Sequence, residues 1–417
     1  MTRILIATYG SEGDTRPFTA LAAGLIENGF DVVVAGEESG ADIAARHRVP
    51  FRALAGDLQG IMATGEMGAQ AVRRNDGGVT GLTVFHRLAR RHTAAWLETL
   101  ADEASRADLV IGSGLATYAA VSAAQATGRE FVGASPIPIT PTRAFPSVFA
   151  IPGTVPRRLN RLSHEIGARA LWTAFRGPTN QAREQHGLDG LRFEWTEIPV
   201  LYGFSPALLP APPDWQDKIV VCGDWSLPPS DVWDPPGELV DFLAGGEPPV
   251  YVGFGSMAGF DAADLVGTVI AGLDGRRAIV AGGWAGAQTL DLPDTVLTIE
   301  RAPHSWLLPQ CSLAIHHCGA GTTHAVARAG IPSVPMPFVA DQPFWARLLR
   351  DRGLATRALS WKRLTEDAVR DEVLAASEPG MRAVAESMSV EMADEDGIAV
   401  AVCALRRLLD PTGRPEA

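Results

Sequence analysis

Short apolar runs that alternate with helical segments constrain the fold of this chain most. Residues 30–35, FDVVVA, lack the regular polar alternation of a strand with one exposed face. Such runs are typical of parallel strands in a sheet that is covered by helices on both sides. Similar candidate strands occur at residues 4–7, 109–112 and 131–134, and a second series begins at 249–253. The alternation predicts an α/β fold with parallel, doubly wound sheets.

The length of 417 residues favours more than one domain. Prolines cluster between the two strand series, at positions 206, 210, 212, 213, 228, 229, 235 and 236. We place the interdomain linker in this stretch. The prediction is an N-terminal domain of residues 1–210, a second domain of residues 211–395 and a C-terminal helix within residues 396–417.

The charge balance bears on possible partners. A net charge of −12 argues against nucleic acid as the main partner, because the phosphates repel an acidic surface. Two local basic clusters, at residues 86–92 and 157–161, are interpreted as solvated helix faces, with a binding patch as the alternative.

Cysteine usage and hydropathy bear on the compartment. Four cysteines without a CxxC spacing indicate reduced thiols. The chain starts directly with a candidate strand, and no apolar run reaches the ~18 residues of a membrane-spanning helix. We expect a cytoplasmic protein without a membrane span; the oligomeric state stays open.

The segment HHCGAGTTH at residues 316–324 carries most of the chemical information. An apolar strand enters it, a glycine turn follows, and Thr322 and Thr323 begin a helix. Free backbone N–H groups and the helix dipole make such a turn an anion site. Gly319 and Gly321 allow a ligand to approach the backbone, and His317 adds a further donor. The pattern predicts a phosphate-binding site.

Asp341 and Gln342 follow about twenty residues downstream. A carboxylate beside an amide can hydrogen-bond to neighbouring hydroxyls of a sugar. The alternative is a purely structural turn or cap, for which Asp-Gln-Pro is also suitable.

Three blocks of the sequence resemble the family 1 nucleotide-sugar glycosyltransferases, in particular bacterial natural-product enzymes and sterol glucosyltransferases. They are TYGSEGDTRPFTALAAGL at 8–25, YVGFGSM at 251–257 and the long, highly specific block PHSWLLPQ…QPFWA at 303–346. Their order and spacing also fit, whereas residues 56–210 carry little of the likeness. The resemblance implies a GT-B fold, with two Rossmann-like domains that face each other across a cleft.

The same resemblance implies where the ligands lie. The sugar donor would bind mainly to the C-terminal domain and the acceptor mainly to the N-terminal domain. The final helix would cross back and pack on the N-terminal domain. Residues 56–82, rich in Gly and Met, are a candidate binding loop.

Asp14 is the expected catalytic base, since the position matches the base of related bacterial sequences. Sugar transfer needs a group that removes the proton of the acceptor hydroxyl. Composition alone favours the alternative that Asp14 is a helix N-cap, with Pro17 near the start of that helix. Ser11 is a weaker candidate for contact with the acceptor.

The resemblance also assigns the donor site. His317, Ser256, Gly319, Gly321, Thr322 and Thr323 would bind the diphosphate, Asp341 and Gln342 the sugar, and Arg301, Ala302 and His304 the nucleobase. His316 points the other way in an extended chain and is expected to be packed. Four aromatic residues, Phe145, Phe149, Trp172 and Phe175, are candidates for an apolar acceptor pocket, with ordinary core packing as the alternative.

These assignments imply an inverting transferase that moves a hexose from UDP-glucose or a dTDP-sugar to a hydroxyl of a hydrophobic small molecule. A sterol or lipid acceptor is the nearest alternative. A dinucleotide-dependent oxidoreductase is disfavoured because GSEGDTRP, at residues 10–17, lacks G-x-G-x-x-G. A non-catalytic helper is disfavoured because both the base and the phosphate residues are present.

Neither a cofactor nor a metal is expected. The one Asp-x-Asp pattern, Asp394 to Asp396, stands just before the last helix, where acidic residues complement the helix dipole. The histidines show no HExxH or comparable ligand spacing. The pattern is therefore interpreted as helix capping.

Overall fold

A computed structural model describes residues 1–58, 77–151, 153–192, 196–228, 233–255, 262–282 and 292–409, with side chains omitted at 77–81 and 262–263. Most of the candidate binding loop at 56–82 and the whole of Ser256 lie outside these residues. In the described ranges, no helix is both long enough and apolar enough to cross a membrane.

The first lobe is built on a sheet of seven strands, all parallel, in the order β3-β2-β1-β4-β5-β6-β7. The strands are β1 Arg3–Ala7, β2 Asp31–Glu37, β3 Phe51–Leu54, β4 Leu109–Gly112, β5 Glu130–Ser135, β6 Val200–Tyr202 and β7 Ile219–Val221. Its helices are α1 Glu12–Glu27, α2 Ala41–Arg46, α3 Gly77–Ser105, α4 Thr117–Thr127 and α5 Asn160–Gln185.

The position of β1 inside the sheet explains why its residues from Ile4 to Ala7 are all apolar. Leu5 and Ala7 belong to the core beneath α3 and α4, whereas Ile4 and Ile6 belong to the core beneath α1. Because successive side chains of a strand point to opposite faces, both faces of β1 are buried. The predicted doubly wound sheet is confirmed.

The second lobe has a parallel sheet of five strands in the order β10-β9-β8-β11-β12. The strands are β8 Val250–Gly253, β9 Ala278–Ala281, β10 Val296–Ile299, β11 Leu313–His316 and β12 Ser333–Pro335. The helices are α6 Gly237–Ala244, α7 Ala262–Gly272, α8 His304–Leu307, α9 Ala320–Arg328, α10 Gln342–Asp351, α11 Glu366–Ala376 and α12 Pro379–Ala393.

The last helix, α13 Gly397–Leu409, returns to the first lobe. Ala401, Val402 and Leu405 are buried in the same core as Leu21 and Leu25 of α1. The final helix therefore packs against α1 of the first lobe.

The first sheet extends further along the chain than the expected boundary at residue 210. Strand β7, Ile219–Val221, pairs in parallel with β6 and completes that sheet. The prolines at 206–213 therefore lie in the connection between β6 and β7, two strands of one sheet. Such a connection accommodates proline, whereas a central strand does not.

Candidate active site

The two sheets each have a topological switch point, and the candidate residues lie at both. In the first sheet, the connections diverge between β1 and β4; in the second, they diverge between β8 and β11. Ligands of open α/β sheets bind beyond the carboxyl ends of the strands at such points. Asp14 follows β1, and His317 follows β11.

Asp14 lies in the first turn of α1. The helix begins at Glu12 with Ser11 as its N-cap, and Pro17 stands beyond the first turn. Asp14 is therefore not the N-cap itself, but it takes part in capping as the third helical residue of a capping box. One carboxylate oxygen, Oδ2, accepts hydrogen bonds from the backbone N–H of Ser11 at 2.8 Å and from its Oγ at 3.0 Å. These two bonds fix the carboxylate above the carboxyl end of β1.

Gly10 makes room for this carboxylate. Its backbone φ of +154° is one that residues with a side chain rarely adopt. A Cβ at this position would stand 2.3 Å from Asp14 Oδ2. Burial raises the pKa of the Asp14 carboxyl, and the two bonds from Ser11 lower it again in part. A carboxylate with a raised pKa is a stronger base than an exposed aspartate.

Asp341 of the second lobe is near enough to sense the charge of Asp14. Burial raises the pKa of the Asp341 carboxyl to about 6, and the negative charge of Asp14 adds to this rise. Trp345 opposes the rise, since its indole N–H donates to Asp341 Oδ2 at 2.8 Å. The carboxylates of Asp14 and Asp341, which belong to different lobes, therefore interact electrostatically.

His317 stands in the turn between β11 and α9. It is half-buried, and burial lowers the pKa of its imidazole to about 4, so the ring is neutral at pH 7. Among the described residues, its Nδ1 has no hydrogen-bond partner. Gly319 lies so close that a Cβ there would stand 2.5 Å from His317 Nε2. The ring and the glycine turn thus form one packed unit.

The N-terminus of α9 lies directly after this turn. Gly319 is its N-cap, and the first intrahelical bond runs from Thr323 N to Gly319 O at 2.9 Å. The N–H groups of Ala320, Gly321 and Thr322 therefore have no partner within the helix. Together with the dipole of this nine-residue helix, they can bind an anion.

The two threonines of the segment differ in their surroundings. Thr322 is half-buried, whereas Thr323 is 0% exposed and its Oγ1 has no partner in the described part of the chain. Thr322 is therefore better placed than Thr323 to donate to a phosphate.

The far end of α9 is tied to the linker and to the chain that leads into α13. Arg328 pairs with Asp224, lies 3.7 Å from Glu395 and donates to the carbonyl of Met392 at 2.7 Å. Glu395 in turn accepts from Ser205 Oγ of the first lobe at 2.7 Å. These contacts fix the helix whose N-terminus faces the cleft.

His316 has a structural role, as the sequence indicates. It is 0% exposed, its Nδ1 accepts from Cys318 N at 3.3 Å, and its Nε2 lies 3.0 Å from Ser333 Oγ. Since Nδ1 accepts, Nε2 carries the proton and donates to Ser333. Burial lowers the pKa of this ring to about 3.

The pair Asp341 and Gln342 begins α10. Gln342 is 7% exposed, and its side-chain oxygen accepts from the N–H groups of Phe338 and Val339 at 2.8 and 3.1 Å. This oxygen therefore holds the preceding loop in place. Asp341 is half-buried, and the Trp345 indole donates to Oδ2, only one of its two carboxylate oxygens.

Of the three residues expected at the nucleobase, Arg301 and Ala302 lie between β10 and α8, and His304 is the first residue of α8. His304 Nε2 is 3.0 Å from the hydroxyl of Tyr251, and burial lowers the pKa of its ring to about 4. Ala302 is half-buried. Arg301 is 52% exposed and lies 3.5 Å from Glu12 of α1, so it reaches the opposite lobe.

Sequence reasoning missed Glu12 and Trp345. Glu12 lies 2.5 Å from Arg16 as well as near Arg301, and Trp345 holds Asp341. The spacing of four residues in Glu12–Arg16 and in Asp341–Trp345 was a readable signal, because such side chains meet on a helix. The pair between Arg301 and Glu12 joins distant parts of the chain and carried no such signal.

The aromatic candidates for the acceptor pocket separate into different environments. Phe175 is 1% exposed, and Trp172 packs on Tyr118 at 4.8 Å, so both belong to the core. Phe145 contacts Phe344 of the second lobe at 5.4 Å and therefore lies at the cleft. Phe149 is 54% exposed.

The acidic triplet before α13 is occupied with structural contacts. Asp396 Oδ1 accepts from Ala399 N at 2.8 Å, which is a helix cap, and Glu395 binds Ser205. Across the described ranges, no group of three or more His, Cys, Asp or Glu residues could hold a metal ion.

Known proteins of similar sequence show the family to which this chain belongs. Residues 267–403 match the C-terminal domain of the erythromycin biosynthesis protein CIII-like family. O-mycaminosyltylonolide 6-deoxyallosyltransferase of Streptomyces fradiae is 32% identical over 414 residues, which cover 95% of each chain. The chain belongs to the family 1 glycosyltransferases.

Other relatives of this glycosyltransferase extend the comparison. Sterol 3-beta-glucosyltransferase of Neurospora crassa is 32% identical over 98% of the chain, which spans only 27% of that longer protein. Among solved structures, the glycosyltransferase of kitacinnamycin has a TM-score of 0.71 at 18% identity, covering 98% and 99% of the two chains. VinC in complex with dTDP has a TM-score of 0.66 at 22% identity, covering 98% and 100%. The structural likeness confirms the GT-B fold.

Proposed function

We propose that this glycosyltransferase transfers a hexose from a UDP- or dTDP-sugar to a hydroxyl of a hydrophobic small molecule, with inversion at the anomeric carbon. The observation that carries the proposal is the approach of two carboxylates from opposite lobes. Asp14 faces the cleft from the first lobe, and Asp341 lies within range of its charge. Beside Asp341, the second lobe presents the helix N-terminus that would hold a diphosphate.

Asp14 would act as the base. Its Oδ2 is engaged by Ser11, and that contact orients the carboxylate toward an incoming hydroxyl. As the acceptor oxygen attacks the anomeric carbon, its proton passes to Asp14, and the nucleoside diphosphate leaves on the opposite side. Positioned bases of this kind contribute roughly 10²- to 10⁴-fold in rate. Direct displacement with one base and no enzyme nucleophile inverts the configuration.

The leaving diphosphate gains negative charge during this step. The N–H groups at the start of α9 and the imidazole of His317 would stabilise that charge more strongly than they stabilise the bound donor. The ring of His317 is neutral when the site is free, and an adjacent diphosphate would raise its pKa. Protonated His317 would then be a charged donor to the leaving group.

The sugar would lie against Asp341, whose ionised carboxylate can accept from a ring hydroxyl. Gln342 would support it indirectly, because its oxygen fixes the loop at Phe338 and Val339. No metal or cofactor takes part in this proposal.

The names of the relatives support a proposal for the donor nucleotide and the acceptor class. VinC is described in complex with dTDP, and the relative from Streptomyces fradiae is named for transfer of a 6-deoxyallosyl group to O-mycaminosyltylonolide. These names favour a dTDP-deoxysugar and a natural-product aglycone. The fungal sterol 3-beta-glucosyltransferases, which match nearly the whole chain, support UDP-glucose and a sterol as the second candidate.

A donor screen followed by an acceptor screen tests the proposal. Thermal shift with UDP, dTDP and their sugars should show stabilisation by one nucleotide series, since a ligand of the folded state raises its stability. The stabilising sugar nucleotide is then incubated with macrolide aglycones and with ergosterol, and the product is detected by mass spectrometry. NMR of the product gives the anomeric configuration; a retained configuration, or no product and no slow donor hydrolysis, would contradict the proposal.

A further inference from the structure

An exposed surface of the first lobe combines arginines with large apolar side chains, and we call it the 143–166 patch. Its apolar members are Phe149, Ile151, Leu159, Leu162 and Ile166, and its basic members are Arg143, Arg157, Arg158 and Arg161. The catalytic machinery proposed above uses none of them.

The apolar members are unusually exposed for their size. Ile151 is 65% exposed, Ile166 57% and Phe149 54%, and Leu159 and Leu162 are 40% and 42% exposed. Three of these residues lie at the start of α5: Leu159 is its N-cap, and Leu162 and Ile166 follow in the helix. They are spaced by three and four residues and so share one face. Exposed apolar residues that share one helix face mark an interaction surface, whereas isolated apolar residues do not.

The basic members concentrate positive charge in an acidic protein. A surface depression is lined by Arg143, Arg157, Arg158 and Arg161 together with Leu162 and Glu165. Glu165 lies 3.4 Å from Arg161, and Asp214 interacts electrostatically with Arg161, so two carboxylates stand among four guanidinium groups. The whole chain carries a net charge of −12, so this local excess selects a negatively charged partner.

The patch is held in a fixed position on the first lobe. Asp214 accepts from Thr142 Oγ1 at 2.6 Å and from the backbone N–H of Arg143 at 2.9 Å. Asn160 donates to the carbonyl of Arg143 at 2.9 Å and thereby joins this segment to α5. Two residues after Arg143, Phe145 contacts Phe344 of the opposite lobe. The patch therefore lies next to a packed junction between the two lobes.

We propose that the 143–166 patch docks the protein on a membrane surface that contains anionic phospholipids. The guanidinium groups bind the lipid phosphates, and the apolar side chains enter the boundary between headgroups and acyl chains. A basic and apolar helix face is the usual pattern of an interfacial segment, and the long arginine side chains can lie along apolar surface while their charges stay at the phosphates. Docking here would bring the cleft to the layer in which a hydrophobic acceptor dissolves; the docking itself does not depend on the proposed reaction.

Vesicle flotation of the full chain tests the proposal without reference to activity. The protein should float with vesicles of phosphatidylcholine and phosphatidylglycerol, should stay unbound with phosphatidylcholine alone, and should be released by salt. The double variant Arg157→Gln, Arg158→Gln should lower the partition by about 30-fold, from the attraction of an anionic surface for each arginine. Leu162→Ser with Ile166→Ser should also lower it.

Matched controls lie on other surfaces of the chain. Arg363→Gln with Arg407→Gln removes the same charge, and Val390→Ser removes an apolar side chain that is 73% exposed. These controls should float like the wild type. Equal flotation of patch and control variants would overturn the proposal, as would absence of flotation with anionic vesicles. Retention on immobilised polyglutamate without flotation, lost in the arginine variant, would assign the patch to an acidic protein and overturn it as well.

Discussion

Replacing Gly319 by alanine tests the link between the glycine turn and His317. The backbone at Gly319 has φ −61° and ψ 148°, which alanine adopts without strain. The new Cβ would, however, lie 2.5 Å from His317 Nε2, whereas real Cβ contacts stay above 3.0 Å. The ring must therefore move by at least about 0.5 Å away from Gly319, and so out of its native position.

The expected loss of diphosphate affinity follows from the strength of the hydrogen bond that the His317 ring would donate to the diphosphate. A hydrogen bond to a charged group contributes about 1.5 to 3 kcal/mol, which corresponds to roughly 10- to 150-fold in affinity. Titration calorimetry with the preferred nucleoside diphosphate should show a loss in this range for Gly319→Ala. The free energy of unfolding should fall by only about 1 kcal/mol or less, because alanine is a poorer N-cap than glycine.

Two further glycine variants separate the causes. Gly321→Ala places a Cβ in open space, so it should leave the stability of the protein unchanged. It should weaken diphosphate binding only if the ligand approaches the backbone at this residue. Gly380→Ala, also in open space near the start of α12, should leave affinity unchanged. Wild-type diphosphate affinity in Gly319→Ala would refute the placement of His317 at the diphosphate.

Three other expectations concern the cleft. Asp14→Asn should lower turnover about 10²- to 10⁴-fold, with nucleotide affinity nearly unchanged, in steady-state kinetics and calorimetry. The affinity for the sugar nucleotide, relative to that for the bare diphosphate, should fall as the pH drops below about 6. The reason is that Asp341 accepts a hydrogen bond from the sugar only when it is ionised, so the bound sugar lowers its pKa. Asp341→Asn should abolish this pH dependence. Glu12→Gln and Arg301→Gln should each change donor affinity by less than about 5-fold, since their ion pair is partly exposed.

Each of these expectations has an outcome that contradicts it. Unchanged turnover in Asp14→Asn removes Asp14 from the base role. A relative affinity that does not vary with pH places the sugar away from Asp341. For the pair of Glu12 and Arg301, the double variant should lose no more than either single variant; a much larger loss in Arg301→Gln alone would indicate direct contact with the nucleobase.

The fold was predictable because the physical pattern of the strands is strong. Runs such as FDVVVA at residues 30–35 and the strand before His317 are apolar on both faces, and only a covered parallel sheet accommodates them. Short edge strands were missed, among them β7, Ile219–Val221, which follows the proline cluster. Three residues carry little periodicity, so only the pairing with β6 reveals that they form a strand.

The site was predictable where local sequence determines geometry. HCGAGTT encodes the turn and the helix N-terminus by itself, and the start of α1 was encoded by Ser11 three residues before Asp14, a signal that the position of Pro17 obscured. The burial of Thr323 and the pairing of Arg301 with Glu12 depend on how whole elements pack. Such tertiary contacts have no signature in a single sequence.

A crystal structure with the preferred nucleoside diphosphate bound tests the central claim most directly. The account predicts both phosphates at the start of α9, with oxygens in hydrogen-bond range of the N–H groups of Gly321 and Thr322 and of the His317 ring. Asp14 should face the phosphate that carries the sugar in the donor. Phosphates bound at any other part of the cleft would contradict it.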